Sequence, residues 1–279
     1  MSRSQSNFWL GLLFQAILIV FVLWAIFPVF FILQAALRPG QSLYSTKLVI
    51  WPSDATLGNF LHMFTEEPLL IWLSNSLKIA GLTTVMALII STSAAYAISR
   101  WQFIGRNGSL IFLLALQAFP SLLSLVAIYQ ILQGLQLINN HLGLVMAYTA
   151  GALVFSTWNM KGYFDTIPID LEEAALIDGA SPTQAFLRVV LPLVQPALAV
   201  TALFAFLGGW NEFVMANVLM TGKEMWTLPV GLFSLQRDYR IPWGYFAAGA
   251  VVNAIPVMLL FLGLQRYLVS GLAAGSVKG

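Results

Sequence analysis

The run from Pro168 to Pro192, P-I-D-L-E-E-A-A-L-I-D-G-A-S-P-T-Q-A-F-L-R-V-V-L-P, is the longest charged and turn-punctuated segment in a chain that otherwise avoids charge. Two short helices are legible in it. Asp170 is read as an N-cap with Glu173 three residues on, a variant of the capping box. Asp170, Glu172 and Glu173 suit the positive end of a helix dipole. Gly179 stands where a left-handed residue is wanted to end the helix. Ser181-Pro182-Thr183-Gln184 then restarts it, with Ser as N-cap, Pro at the first helical position and Gln at the third. Pro192 and Pro196 limit the second helix or kink the chain beyond it.

The remainder is strongly apolar. Only 9% of residues are charged, 59% are hydrophobic, and the mean hydropathy is +0.84. A soluble domain carries about 25% charged residues, so the chain reads as an all-α polytopic membrane protein. A net charge of +2 does not recommend nucleic acid as a partner. The absence of cysteine excludes disulfides, iron–sulfur clusters and thiolate metal sites. His62 and His141 are far apart and neither has a second histidine at ligand spacing, so no metal site is expected. The first hydrophobic stretch exceeds a signal-peptide core and lacks a small-residue cleavage site, so it reads as a retained span.

Charge at the bilayer centre costs at least ~2.5 kcal/mol, so long charge-free gaps mark spans. The gap from Arg3 to Arg38 holds 34 uncharged residues, and that from Lys78 to Arg100 holds 21. Between Arg106 and Lys161 lie 54, too many for one helix, and the polar cluster Gln133-Gly134, Gln136, Asn139-Asn140-His141 divides them. Arg188 to Glu212 encloses 23 residues and Arg240 to Arg266 encloses 25. The count is six spans, at about 10–35, 73–98, 109–131, 142–160, 194–214 and 244–266, in a single membrane domain covering 1–279. An even number puts both termini on one side. The acid-free connection Ser99–Gly108, with Arg100 and Arg106, argues that this side is cytoplasmic. The whole tally is closer, with seven Lys/Arg inside and six outside.

Along the chain, Trp51, Phe60, Phe64 and Trp72 read as interfacial aromatics, and Leu57–Phe64 as a short amphipathic surface helix. The second span is rich in Ser, Thr and Ala, which suits close helix packing or a polar path. Pro120 and Pro256 each break an apolar helix, and lipid cannot satisfy the carbonyl a proline frees. Asn75, Gln117, Asn211, Glu212 and Asn253 are the candidate translocation-path residues. The segment Met215–Tyr239 exposes apolar groups; it either meets a partner or lines a vestibule, or is a re-entrant piece packed on the bundle.

Glu173-Ala174-Ala175, three residues, Gly179, nine residues, then Val189-x-Leu191-Pro192 resembles the cytoplasmic coupling motif of ABC-importer permeases, with Val189 where the motif has Ile. Asn75-Ser76-Leu77, Ala95-Tyr96-Ala97, Trp210-Asn211-Glu212-Phe213 and the ending from Gln265 to Gly279 are similar to carbohydrate-uptake permeases of that family. The ending is most similar to the smaller permease subunit of maltose/maltodextrin importers. The first outer loop is shorter than in that subunit. The resemblance implies a non-catalytic subunit of a binding-protein-dependent sugar importer in the prokaryotic inner membrane. It implies pairing with a second, homologous permease, two ATPase subunits that bind ATP and magnesium, an extracytoplasmic sugar-binding protein, and no cofactor in this chain. It further implies that Glu172, Glu173, Ala174, Ala175, Asp178 and Gly179 meet the ATPase, and that the tail Gly275, Ser276, Val277, Lys278 and Gly279 reaches between the ATPase subunits. The outer segment Met215–Tyr239 would meet the binding protein.

Other classes are weaker. A secondary transporter normally carries midplane ionisable groups and an internal repeat. An intramembrane enzyme needs a nucleophile–base or metal constellation, and neither H-E-x-x-H nor G-x-S-x-G occurs. No G-x-x-x-x-G-K-[ST] is present, so ATP hydrolysis belongs elsewhere. A channel with an amphipathic cytoplasmic hairpin is opposed only by the coupling motif. The resemblance favours a maltose/maltodextrin-like cargo; trehalose, a polyol glycoside, an acidic oligosaccharide or another oligosaccharide stays open, although the bundle shows no basic cluster that would favour a polyanion.

Overall fold

A computed structural model describes residues 3–41, 51–236 and 241–275, with side chains over 10–41, 51–120, 123–236 and 241–267. The described chain is helical throughout. In order it forms α1 (Arg3–Leu37), α2 (Gly58–Thr65), α3 (Leu69–Arg100), α4 (Arg106–Gln117), α5 (Ser121–Gly134) and α6 (His141–Phe164). There follow α7 (Asp170–Ile177), α8 (Pro182–Ala185), a π-helical turn (Phe186–Val190), α9 (Leu191–Leu193) and α10 (Gln195–Asn211). The last elements are α11 (Val214–Leu219), a 3₁₀ turn (Lys223–Met225), α12 (Leu228–Ser234) and α13 (Trp243–Gly275).

Residues 1–69 and 232–255 form one compact unit, and residues 70–231 and 256–279 form another. In the first, α2 is locked in place by Asn59, whose Nδ2 donates to the carbonyls of Ala36 and Arg38, both at 2.9 Å. Gln41 donates to Asn59 Oδ1, and its own Oε1 accepts from the Tyr245 amide. The His62 ring stacks on Tyr245 at 3.8 Å. A helix forms where one was expected over 57–64, as Gly58–Thr65, and with Met63 wholly buried it presses one face inward. By contrast α1 is bare: Trp24 is 75% exposed. An apolar helix with all its backbone bonds internal is the form a chain takes in hydrocarbon.

The second unit holds two cores. Ile79, Leu132, Leu144, Tyr148, Leu219 and Met220 meet in one of them. In the other, Ala95, Met160, Phe164, Val190, Val194 and Ala197 meet around the end of the Pro168–Pro192 run. Between them α6 packs along α10, where Asn159 Nδ2 donates to Thr201 Oγ1 at 2.9 Å. Gly209 lets α10 approach α3 closely, since a Cβ there would stand 3.3 Å from Ala80 Cα.

Among the described residues, three helical stretches are long and apolar enough to cross a membrane: Leu10–Leu37, Leu69–Arg100 and Trp243–Tyr267. The pair Pro182–Leu193 and Gln195–Asn211, bent by 77°, makes a fourth if taken as one broken span. Length and composition therefore stop short of the six that charge gaps count. The stretch expected as a single third span is two helices of 12 and 14 residues, broken at Ala118–Pro120. At ~1.5 Å per residue neither reaches across hydrocarbon alone. The polar turn before α6 is as expected: Asn140 caps the helix by accepting from the Leu142 amide, and Gln136 and Asn139 adopt left-handed φ of 57° and 55°.

Candidate functional site

The hairpin α7–α8 is built by its caps. Asp178 ends α7, and Gly179 follows at φ +90°. The Gly179 amide donates to the Leu176 carbonyl and the Ala180 amide to the Ala175 carbonyl, each at 3.0 Å. This crossed pair is the Schellman closure. Ser181 then opens α8 with a reciprocal capping box, its Oγ accepting from the Gln184 amide while Gln184 Oε1 accepts from the Ser181 amide. Pro192 lacks an amide hydrogen, and the helix widens into the π turn immediately before it, a common response to a missing bond.

The other end departs from expectation. Asp170 is not the N-cap; Ile169 is, and no side chain caps the helix. The amides of Glu172 and Glu173 already donate to the Ile169 carbonyl, because the chain turns from Pro168 onward and leaves Asp170 no donor to serve.

The acidic pair divides. Glu173 is exposed, and so are Ala174, Asp178 and Gly179, while Ala175 is half-buried. Glu172 is turned inward, at 8% exposure. It forms an ion pair with Arg100 at the end of α3 and accepts from the Tyr96 hydroxyl at 2.6 Å. Arg100 also donates to the carbonyls of Phe164 and Ile167, at 3.1 and 3.2 Å. Glu172 is thus an internal anchor, turned away from the exposed face that carries Glu173. Just outside α6, Asp165 accepts from Ser99 at 2.6 Å and pairs with Lys161. Burial alone would raise the Asp165 carboxyl, but the hydrogen bonds from Lys161 and Ser99, with Lys161 and Arg106 charge nearby, hold it below its ordinary value.

The five path candidates have different surroundings. Asn75 is buried, and its Nδ2 donates to the carbonyls of Glu224 and Trp226, at 2.8 and 3.0 Å. It pins the loop after α10. Glu212 caps α11, its carboxylate accepting from the amides of Met215 and Ala216 and from the Tyr148 hydroxyl. It also borders a cleft of about 480 Å³ between α6 and α10, with Phe155, Phe204 and Gly208. Ser156 lines that cleft too, with its Oγ buried and unpartnered among the described residues. Gln117 and Asn211 are exposed. Asn253, on α13, has a buried Oδ1 without a partner among the described residues.

Trp72, expected at a membrane interface, is wholly buried and donates to the Lys223 carbonyl at 3.0 Å. Beside it, Ser76 Oγ accepts from the Leu228 amide, and His141 Nε2 donates to the Met225 carbonyl. Asn139 Oδ1 accepts from the amides of Thr221 and Gly222. The segment expected as Met215–Tyr239 is therefore an ordered chain of short helices over its described part; Arg237, Asp238, Tyr239 and Arg240 lie outside the described residues. In the tail, Gly275 ends α13, and Ser276, Val277, Lys278 and Gly279 lie outside the described residues. Sequence reasoning missed Arg100 and Tyr96 as anchors. Their signal was an arginine and a tyrosine one turn apart at the charged end of an apolar helix.

Known proteins resemble the chain in sequence and in fold. Residues 87–273 match the family described as binding-protein-dependent transport system inner membrane component. The chain is 39% identical to the galactooligosaccharides transport system permease protein GanQ of Bacillus subtilis, over 97% of each chain. It is also 39% identical to the maltose/maltodextrin transport system permease protein MalG of Salmonella typhimurium, over 94% of each. In fold it is similar to a chain of a bacterial ABC transporter involved in import of the acidic polysaccharide alginate. That match has a TM-score of 0.79 at 24% identity, and covers 96% of this chain and 98% of that one.

Proposed function

The chain belongs to the family of binding-protein-dependent transport system inner membrane components, and on that premise we propose that it is a permease subunit of an ABC importer for a sugar or oligosaccharide. It is a multi-pass protein of the inner membrane. The relatives named for galactooligosaccharides and for maltose/maltodextrin favour a neutral oligosaccharide as cargo.

The observation that carries the mechanism is the hairpin of α7 and α8, capped at its turn and presenting Glu173, Ala174, Asp178 and Gly179 outward. In our reading this face docks on an ATPase subunit. Ala174 and Ala175 allow close approach, Gly179 sets the turn and Glu173 is the polar contact. ATP and magnesium are bound by the ATPase partner, and this chain performs no catalysis. A second homologous permease completes the pathway, two ATPase subunits sit beneath, and the tail 275–279 reaches between them. The loop after α10 receives the extracytoplasmic binding protein.

This assignment brings a topology with it. The six spans are α1, α3, the broken pair α4–α5, α6, the bent unit α8–α10, and α13, with both termini cytoplasmic. The α7–α8 hairpin and the Arg100–Arg106 connection then lie on the same side, as docking requires. The path is formed with the second permease, and the α6–α10 cleft with Glu212 is its nearest approach in this chain.

The test is ATP hydrolysis by the reconstituted complex, with its binding protein, across maltodextrins, galactooligosaccharides, trehalose, polyol glycosides and an acidic oligosaccharide. Stimulation and uptake with one neutral class are expected. Uptake that ignores ATP but tracks an ion gradient would replace this reading with a secondary transporter.

A further inference from the structure

Glu172 and Glu173 are adjacent, yet one helical step of about 100° sends them to different faces. Glu173 is exposed, whereas the side chains of the Arg100–Glu172 pair are only 8% and 11% exposed. Both Glu172 oxygens are taken, one by Arg100 and the other by Tyr96. Arg100 spreads its guanidinium over three attachments: Nε to Glu172, Nη1 to the Phe164 carbonyl and Nη2 to the Ile167 carbonyl. These lie at the first turn of α7, at the end of α6 and in the turn between them. One side chain at the end of α3 therefore grips each segment of the connection by which the hairpin follows α6. Charge-assisted bonds of this kind are short and stiff, and a forked donor is needed to make all three at once. Tyr96 is itself wedged between Phe164 and Phe186, with ring centroids 5.5 and 4.5 Å away.

We propose that Arg100 is the positioning residue that makes α3 and the hairpin one lever, with Glu172 as its fixed end and Glu173 left free to dock. The inference rests on the reading of α7 as the ATPase-docking element, and deepens it. Movement imposed on α7 passes directly into α3 instead of being absorbed in the 165–169 turn. The two carboxylates of the motif thereby have separable duties: loss of Glu173 costs assembly, and loss of Glu172 costs transmission.

The complete complex in proteoliposomes tests this, with co-purification of the ATPase, ATP hydrolysis and sugar uptake per ATP as readouts. In Arg100→Gln and Glu172→Gln, the ATPase is expected to co-purify and hydrolysis to continue, while uptake per ATP falls about 5- to 150-fold, the usual span of a coupling between sites. The double variant should lose no more than either single one, because both remove the same tie. Arg100→Lys should not rescue, since a single ammonium cannot reach three attachments. Tyr96→Phe keeps the ring packing and should lower uptake per ATP to a lesser degree. Glu173→Gln should instead reduce co-purification.

A covalent bridge supplies the converse. The chain has no cysteine, so Arg100→Cys with Glu172→Cys can be joined by a bis-methanethiosulfonate linker. Uptake per ATP should return on bridging and vanish again on reduction. Normal uptake per ATP in the single variants overturns the lever. So does a parallel fall of co-purification, hydrolysis and uptake that bridging does not repair, for then the cluster only holds the fold. If the wild-type complex couples sugar to ATP and the variants do so equally, the lever alone fails. If the wild-type complex never couples them, the importer reading fails with it.

Discussion

Gly179 sits at φ +90° with open space where a Cβ would stand, so substitution there is a backbone problem and not a steric one. An L-residue in that region costs roughly 1–2 kcal/mol, and Gly179→Ala should lower uptake without removing the protein from the membrane. Gly179→Asp adds charge on the docking face and should abolish uptake; normal sugar-stimulated hydrolysis in that variant would refute docking there. Asp165 offers a pH test. Its folded carboxyl is held below the ordinary value of 3.8, so its stabilising contribution is fully present above that value and is lost as pH falls through the lowered folded one. Thermal unfolding of the purified protein should therefore show a steeper acid loss than Asp165→Asn, most clearly below pH 3.8. Asn75→Ala should remove two hydrogen bonds to the carbonyls of Glu224 and Trp226, costing ~1–3 kcal/mol, and should reduce thermal stability more than Gln117→Ala, whose side chain is exposed.

At the level of elements, the caps decided how much could be read in advance. Gly179, Ser181, Pro182 and Gln184 act through neighbours in sequence, so local chemistry was enough to place the hairpin turn. Asp170 failed as a cap because the Pro168 turn had already captured the donors it would serve. Glu172 could not be separated from Glu173 without knowing that Arg100, 72 positions earlier, waits beneath the helix. The burial of Trp72 and the contacts of Asn75 were out of reach for the same reason: their partners are backbone carbonyls 151 and 149 residues away. Tertiary pairing of that range leaves no local trace. The α12 junction gives an element-scale test. A Cβ on Gly231 would fall 2.1 Å from the Trp72 ring. Gly231→Ala should cost about 1–3 kcal/mol through overpacking, seen as a lower unfolding temperature and weaker stimulation by the binding protein.

For the molecule as a whole, exposed apolar surface is the dominant fact, from Trp24 on α1 to Phe204 on α10 and Leu259 on α13. Lipid covers such surface, and in our reading the second permease covers part of it. Co-expression with that partner should raise the unfolding temperature in detergent, whereas an unchanged value would argue that the chain works without it. The charge gaps overlap the three long apolar helices because charge is costly in hydrocarbon, but they could not see the break at Pro120 or the 77° bend at Val194. The loop after α10 has a further consequence. Trp72, Asn75, Ser76, Asn139 and His141 grip it through its peptide groups, while its own Leu219, Met220 and Val230 are buried in the core behind it. Such a socket fixes the course of the loop and its inward side chains, and leaves only the outward ones, such as the exposed Val218, without a part in seating it. A lineage can therefore rewrite the displayed surface to suit a new receptor while inheriting the scaffold unaltered, and loops exchanged between relatives should seat wherever the inward apolar positions are kept.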